Sequence, residues 1–211
     1  MKLGFLTACL GELSLDSLVN LATEIGFTSL ELSAWPVDNT RDYSASNFDA
    51  ANLNGKRAVE IKELFKQHGL TISSLAYYDN NLHHDLRASY LEHLQKVIDA
   101  ASLLGVELVG TFIGRDLTKT IADNMQEFQR VFSEILTYAE QKKVKIMIEN
   151  CPMPGWSPDG WAGTISYSPE LWREMFRLLP NQNFGLNLDP SHLHWLGINY
   201  LKVVPEFRER I

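Results

Sequence analysis

Cysteine is scarce in this sequence. Among 211 residues only Cys9 and Cys151 occur, and they do not form a Cys-x-x-Cys pair. Two cysteines cannot by themselves complete a structural zinc site, which takes four ligands. We therefore expect both to be free, buried thiols.

An excess of positive charge is also lacking. The chain has 19 Lys and Arg residues against 26 Asp and Glu residues, which gives a formal net charge of −7. Proteins that bind nucleic acid need basic surfaces to neutralise the phosphate backbone. Nucleic acid is therefore not an expected partner.

Long apolar runs are absent as well. No stretch approaches the roughly 18 consecutive apolar residues of a membrane-spanning helix, so we expect no membrane partner. Leu6-Thr7-Ala8-Cys9 is similar to a lipoprotein cleavage box. The few residues before it cannot hold the charged segment and the roughly 7–15 apolar residues of a signal peptide. We expect a cytoplasmic protein.

No linker, charge run or low-complexity stretch divides the chain, so we expect one domain over residues 1–211. A recurring unit fills it. Five times a helical pattern gives way to a short apolar strand, in EIGFTSLEL, QHGLTISSL, LLGVELVGT, KKVKIMIEN and NQNFGLNLD. Gly26, Gly69 and Gly105 mark the first three junctions, as expected of left-handed residues that end helices. Their spacing of about 40 residues suits a strand–helix unit.

With the opening KLGFLTA, the pattern predicts six strands alternating with helices, and hence a parallel sheet. An open sheet that binds a nucleotide would show a glycine-rich turn after the first strand, and none is present. Ser29, Glu31 and Ser33 alternate with leucines, which is typical of strands that line a barrel. We therefore expect an α/β fold of the (β/α)8 TIM-barrel type, with only about six βα units in this chain.

Carboxylates lie where two of these strands end. The fifth strand ends in Glu149-Asn150, and the sixth continues into Asp189-Pro190-Ser191-His192. Neighbouring carboxylates repel unless a cation or a proton lies between them, and oxygen and imidazole ligands suit Mg²⁺, Mn²⁺, Co²⁺ or Zn²⁺. The alternative is structural: Glu149 would pair with a lysine, and Asp189 would cap the following turn.

IMIEN and GLNLDPSH, together with GFTSLELSAW at the second strand, resemble the xylose isomerase-like TIM barrel superfamily of sugar phosphate isomerases and epimerases. The resemblance covers the whole chain. It implies that Glu149 and Asp189 bind a divalent metal and that His192 contacts the substrate or, as in the related nucleases, the metal. The remaining two ligands of the family follow from a seventh and an eighth strand. The sequence ends before them, so we expect the last two βα units to be missing.

Other residues around the expected site are less strongly indicated. Trp156 follows the fifth strand and could stack on a sugar ring. Glu31 could contact substrate or pair with Lys145. Trp35 and Trp161 are less strongly indicated as substrate contacts, and His83-His84 is expected to lie in a solvated loop. The expected substrate contacts are therefore His192, Trp156, Asn150 and Glu31.

The resemblance implies a metal-dependent isomerase or epimerase for a sugar or sugar phosphate. Glu149 would remove a proton next to a ketose carbonyl, and the metal would stabilise the enediolate. His192 would hold a substrate hydroxyl. An inosose dehydratase-like lyase is the alternative. An apurinic endonuclease IV-like nuclease and a non-catalytic sugar-binding barrel are less favoured. The expected partner is a small carbohydrate, with self-association into a homo-oligomer left open.

Overall fold

The computed structural model describes residues 2–39, 45–158 and 160–211. Within these residues six strands form one sheet in chain order. They are β1 (Gly4–Leu6), β2 (Ser29–Ser33), β3 (Thr71–Ala76), β4 (Leu108–Thr111), β5 (Lys145–Glu149) and β6 (Phe184–Asn187). Strand β2 pairs in parallel with β1 and with β3, and β5 pairs in parallel with β6. This confirms the predicted α/β fold of the TIM-barrel type.

Helices alternate with the strands, as the repeated pattern predicts. Two short 3₁₀ turns, Thr7–Leu10 and Pro154–Trp156, are added to them. No helix within the described residues is both long enough and apolar enough to cross a bilayer. The helices are α1 (Leu15–Ile25), α2 (Gly55–Gln67), α3 (Arg87–Leu104), α4 (Ile121–Gln141), α5 (Pro169–Leu178), α6 (Pro190–Trp195) and α7 (Tyr200–Phe207).

The chain forms two compact units, and the expected single domain over residues 1–211 stays a prediction. The first unit comprises residues 1–77, 93–109 and 142–144, and the second comprises residues 78–92, 110–141 and 145–211. Leu18, Leu30 and Ile61 are fully buried in the first unit. Phe128 and Trp172 are fully buried in the second. Each such side chain contributes about 1.5–3 kcal/mol of burial free energy, so each unit has its own apolar core.

The predicted helix ends are confirmed. Gly26, Gly69 and Gly105 have φ values of 97°, 66° and 72°, in the left-handed region where a Cβ is costly. At the other end of α1, the side chain of Ser14 accepts a hydrogen bond from the backbone N–H of Ser17, which satisfies a donor that the helix itself leaves unpaired.

Strands β5 and β6 set the height of the polar groups at their ends. Ile146 and Ile148 are buried, and Glu149 pairs in register with Asn187. Asp189 therefore lies two residues beyond the level of Glu149 along the neighbouring strand. The two carboxylates predicted at corresponding strand ends are offset by that distance.

Gly114 occupies a position that tolerates only glycine. Its φ is +83°, and a Cβ built there would lie 1.9 Å from Oδ1 of Asn80. That oxygen accepts hydrogen bonds from the N–H groups of Leu82 and Arg115 at 3.2 and 2.8 Å. The Asn80 side chain cannot move aside without breaking both bonds.

We expect Gly114→Ala to lower the free energy of unfolding by about 2–4 kcal/mol, the sum of a left-handed Cβ and an overpacked contact. Gly105→Ala is the matched control, since its φ is also positive but nothing lies within 4 Å of the added Cβ. The control should lose only the conformational part, about 1–2 kcal/mol. Equal losses in urea unfolding would show that the Asn80 contact carries no cost.

Candidate metal centre

Glu149 is the last residue of β5, and it is held there by its backbone. Its carbonyl oxygen accepts a hydrogen bond from Oγ of Ser166 at 2.9 Å. The alternation of the strand buries Ile148 on one face and turns Glu149 to the other. Its side chain is 19% exposed, so the carboxylate is partly withdrawn from water but still reachable by a small molecule.

His192 comes from α6 and faces Glu149. Nε2 of His192 lies 3.3 Å from Oε1 of Glu149 and 3.5 Å from Oδ2 of Asp189. The structure therefore brings together the three residues that the two motifs predicted. At Oε1 the neighbour of Glu149 is a histidine, and not the lysine of the structural alternative.

The two carboxylate oxygens of Asp189 contact different neighbours. Oδ1 accepts a hydrogen bond from the N–H of Ser191 at 2.7 Å and caps α6, which is the structural role that the sequence left open. Oδ2 is the oxygen near His192. The side chain is 41% exposed. Metal binding by Asp189 stays a prediction, and capping leaves one oxygen available for it.

Cys151 is the residue that the sequence interpretation missed. The expectation of two buried thiols is wrong: Cys9 is exposed, and Cys151 is partly exposed. Ligand atoms of Cys151, Glu149 and His192 all lie within 4.8 Å of one another. A signal was present in the order Glu149-Asn150-Cys151, because an extended chain turns alternate residues to the same side.

The electrostatics of this cluster favour a positive charge at its centre. The Cys151 side chain, the hydrogen bond to Glu149 and the negative charge of Asp189 together raise the pKa of His192 to about 10, although partial burial lowers it. The imidazole is therefore protonated at neutral pH in the metal-free protein. Its Nε2–H then donates to Glu149, and the proton supplies the charge that the acidic groups require.

The donor set also fits a divalent ion. Nitrogen and oxygen ligands held about 2.1 Å from a tetrahedral ion lie about 3.4 Å from each other. The separation between Nε2 of His192 and Oε1 of Glu149 is 3.3 Å. One carboxylate, one imidazole and one thiol are ligand types that zinc and related ions accept together.

Asn150 ties the ends of the two strands together. Its Nδ2 donates to the carbonyl oxygen of Asp189 at 2.9 Å, and its Oδ1 accepts from the N–H of Asp189 at 2.7 Å. The residue is fully buried. Both ends of the amide are thus used by one backbone position, which fixes Asp189 relative to Glu149. The predicted contact of Asn150 with substrate stays a prediction.

Aromatic rings extend from the end of β6 toward the loop after β5. Nδ2 of Asn187 donates to the hydroxyl of Tyr78 at 2.6 Å. The ring of Tyr78 lies 5.0 Å from Phe112, and Phe112 lies 5.4 Å from Trp156. We call the three rings of Tyr78, Phe112 and Trp156 the aromatic row. With Asn187, the row connects the strand end with the tryptophan predicted to contact sugar.

The remaining candidates belong to other elements of the chain. Glu31 lies on β2 in the first unit, opposite Leu6 and Ser74, and its contact with substrate or with Lys145 stays a prediction. Trp35 is buried against Tyr77.

Trp161 is exposed and contacts Tyr167 edge-on at 6.4 Å. The rings of His83 and His84 stack at 4.6 Å. His83 accepts hydrogen bonds from the N–H groups of Asp85 and Leu86 just before α3.

Residues 19–211 match the family model of the xylose isomerase-like TIM barrel, and the chain belongs to that family. A curated relative, the uncharacterized protein YfiH of Bacillus subtilis (strain 168), is 26% identical over 216 residues. The alignment covers 93% of this chain and 66% of that protein. The chain thus spans slightly less than two thirds of the relative's length.

Solved structures share the fold over the whole chain. The probable 3-DHS dehydratase AsbF of Bacillus anthracis has a TM-score of 0.76 at 20% identity, with 100% of this chain and 71% of that one covered. The 3-keto-D-glucoside 4-epimerase YcjR of E. coli has 0.76 at 12%, covering 100% and 76%. The IOLI protein with a bound zinc atom has 0.73 at 20%, covering 100% and 70%. Epimerases and a dehydratase are therefore built on this fold.

We expect Asn150→Ala to lower the free energy of unfolding by about 2–4 kcal/mol, because it removes two partly buried hydrogen bonds and leaves the N–H of Asp189 unpaired. Urea unfolding measures the loss. The control is Asn52→Ala, which removes an exposed asparagine bonded to Asp49 and should change stability by no more than about 0.5 kcal/mol. A similar small change at Asn150 would contradict the tying role.

Proposed function

We propose that the protein is a metal-dependent isomerase or epimerase that acts on a ketose, a keto sugar or a sugar phosphate. The observation that carries the proposal is the partly buried Glu149 carboxylate, held at a strand end by His192. Membership of the xylose isomerase-like family and the epimerases that share its fold support the substrate class.

Glu149 and Asp189 would hold the divalent ion, with Nε2 of His192 beside them. A bound ion of this kind supplies a Lewis acid that polarises a carbonyl and acidifies the neighbouring C–H. The donor types and their separations in this structure suit Mn²⁺, Co²⁺ or Zn²⁺ better than Mg²⁺, since an imidazole is among them.

Glu149 is the group that takes the substrate proton. A carboxylate offers about four lone-pair positions, so Oε1 can accept from His192 while a proton is taken up at another position. Partial burial keeps competing water away from the acceptor. Return of a proton to the opposite face of the same carbon gives the epimer, and return to the neighbouring carbon gives the isomer.

His192 has two alternative roles. As a neutral imidazole it can ligate the ion through Nε2, or as a donor it can hold a substrate hydroxyl at the same atom. In the metal-free protein the protonated Nε2 lies 3.3 and 3.5 Å from oxygens of Glu149 and Asp189 and orients both carboxylates.

Trp156 supplies an apolar face for the sugar. It follows β5 closely, at the end of the aromatic row, and lies edge-on to Phe112. Aromatic faces pack against the C–H side of a sugar ring, which leaves the hydroxyls to the polar groups at the strand ends.

A dehydratase is the second candidate function. It is favoured by the likeness to the probable 3-DHS dehydratase AsbF, and it begins with the same removal of a proton beside a carbonyl. Loss of hydroxide from the next carbon then replaces return of the proton. The product, an unsaturated carbonyl compound, would absorb in the ultraviolet, so the same incubations separate the two functions.

The test is exchange of solvent deuterium into sugars. The 211-residue chain, loaded separately with Mn²⁺, Co²⁺ or Zn²⁺, is incubated in D₂O with D-tagatose, D-allulose, L-ribulose and a 3-keto-D-glucoside. We expect deuterium to enter one of them at a carbon next to the carbonyl, as read by NMR and mass spectrometry. Failure of exchange with every metal and sugar would contradict the proposal.

Glu149→Gln should reduce exchange at least about 100-fold, because the amide cannot accept the proton and general bases contribute about 10²–10⁴-fold. Glu24→Gln is the control, since Glu24 is an exposed residue of α1. The control should exchange at the rate of the unaltered protein. Equal rates in the two variants would remove Glu149 from the mechanism.

A further inference from the structure

We propose that Cys151 is a thiolate ligand of the metal centre and that it makes the site selective for Zn²⁺ and Co²⁺ over Mg²⁺ and Mn²⁺. The proposal rests on the proposed metal dependence and adds a ligand to it. It stands on the placement of Cys151 Sγ within 4.8 Å of ligand atoms of Glu149 and His192.

The backbone directs Cys151 toward the centre. Asn150 lies between Glu149 and Cys151 in the sequence. Its side chain points away from theirs, because its amide is hydrogen-bonded to the backbone of Asp189. Glu149 and Cys151 therefore share the opposite side of the extended chain. Pro152 follows Cys151, and a residue before proline is restricted to extended conformations. The alternation of side chains between the two faces of β5 therefore continues from Glu149, where the strand ends, to Cys151.

The neighbours of Cys151 are the second argument. Of the two cysteines, Cys9 is exposed and donates to the carbonyl oxygen of Leu6, whereas Cys151 lies next to an imidazole and a carboxylate. Oδ2 of Asp189 lies 3.5 Å from Nε2 of His192, but Asp189 is outside the group of three whose ligand atoms all lie within 4.8 Å of one another. A carboxylate, an imidazole and a thiolate together suit an ion of intermediate softness such as Zn²⁺. Three protein ligands leave one coordination position of a four-coordinate ion open for a substrate oxygen.

Selectivity follows from the chemistry of sulfur. Thiolates are soft ligands that zinc and cobalt accept, whereas Mg²⁺ takes oxygen ligands in a near-octahedral shell. Binding forms a sulfur–metal and a nitrogen–metal bond and releases the thiol proton and the proton of the His192 imidazolium to solvent, so no oxidant or reductant is involved. His192 then acts as a ligand, and its alternative role toward a substrate hydroxyl is excluded.

Cobalt is the direct probe. We expect the metal-free 211-residue chain, when titrated with Co²⁺, to develop a thiolate-to-cobalt charge-transfer band in the near ultraviolet, together with visible bands of a four- or five-coordinate ion. Cys9→Ser should show the same spectrum. Cys151→Ser should lose the charge-transfer band, and its Zn²⁺ affinity, measured by competition with a chromophoric chelator, should fall at least about tenfold, the loss that even an outer-shell partner can cause.

Alkylation gives a second readout that does not require Cys151→Ser to fold. In Cys9→Ser the thiol of Cys151 is the only one left, so its reaction with iodoacetamide reports on that position alone. Stoichiometric Zn²⁺ or Co²⁺ should protect it, and Mg²⁺ at the same concentration should not. Zn²⁺ that binds without protecting the thiol would overturn the proposal.

The outcomes distinguish this inference from the proposed function. Cobalt bands without the charge-transfer component, with equal Zn²⁺ affinity in Cys151→Ser, would remove Cys151 from the site but leave the metal-dependent function standing. Absence of any divalent-ion binding in the unaltered protein would overturn both. A thiol that reacts rapidly with alkylating agent whether or not metal is present would identify Cys151 as a free nucleophile and overturn the ligand role.

Discussion

The concentration of acidic groups at the ends of β5 and β6 is the constraint on which the candidate site depends. Glu149 and Asp189 both lie near Nε2 of His192, and Cys151 lies beside Glu149 and His192. Neighbouring carboxylates are unfavourable unless positive charge is placed between them. In the metal-free protein the raised pKa of His192 supplies a proton for this purpose. A divalent ion would meet the same demand with twice the charge, so the protonated histidine and the metal are alternatives for one position.

The scaffold holds these groups together through backbone contacts more than through their own attraction. Asn150 fixes the backbone of Asp189 by two hydrogen bonds, Asp189 in turn caps the helix that carries His192, and Ser166 holds the backbone of Glu149. The site is therefore assembled before any ligand arrives, which lowers the cost of binding one.

Local patterns predicted the fold because they act within a few residues. The left-handed glycines at 26, 69 and 105 depend on backbone sterics, and the structure confirms them. Glu149, Asp189 and His192 could be paired in advance because parallel strands end at one edge of the sheet. The two-residue offset of Asp189 could not be foreseen, because strand register is set by packing across the sheet. The role of Asn150 and the contact of Cys151 with His192 likewise depend on distant segments, and only the placement of Cys151 on the same side of the chain as Glu149 could be inferred from the sequence.

The most direct test of the account is a crystal structure of the chain grown with Zn²⁺ and measured on both sides of the zinc absorption edge. The account predicts an anomalous peak about 2.0–2.3 Å from ligand atoms of Glu149 and His192. A protein that takes up zinc with no peak at these two residues, or with the ion bound at another place in the fold, would contradict it.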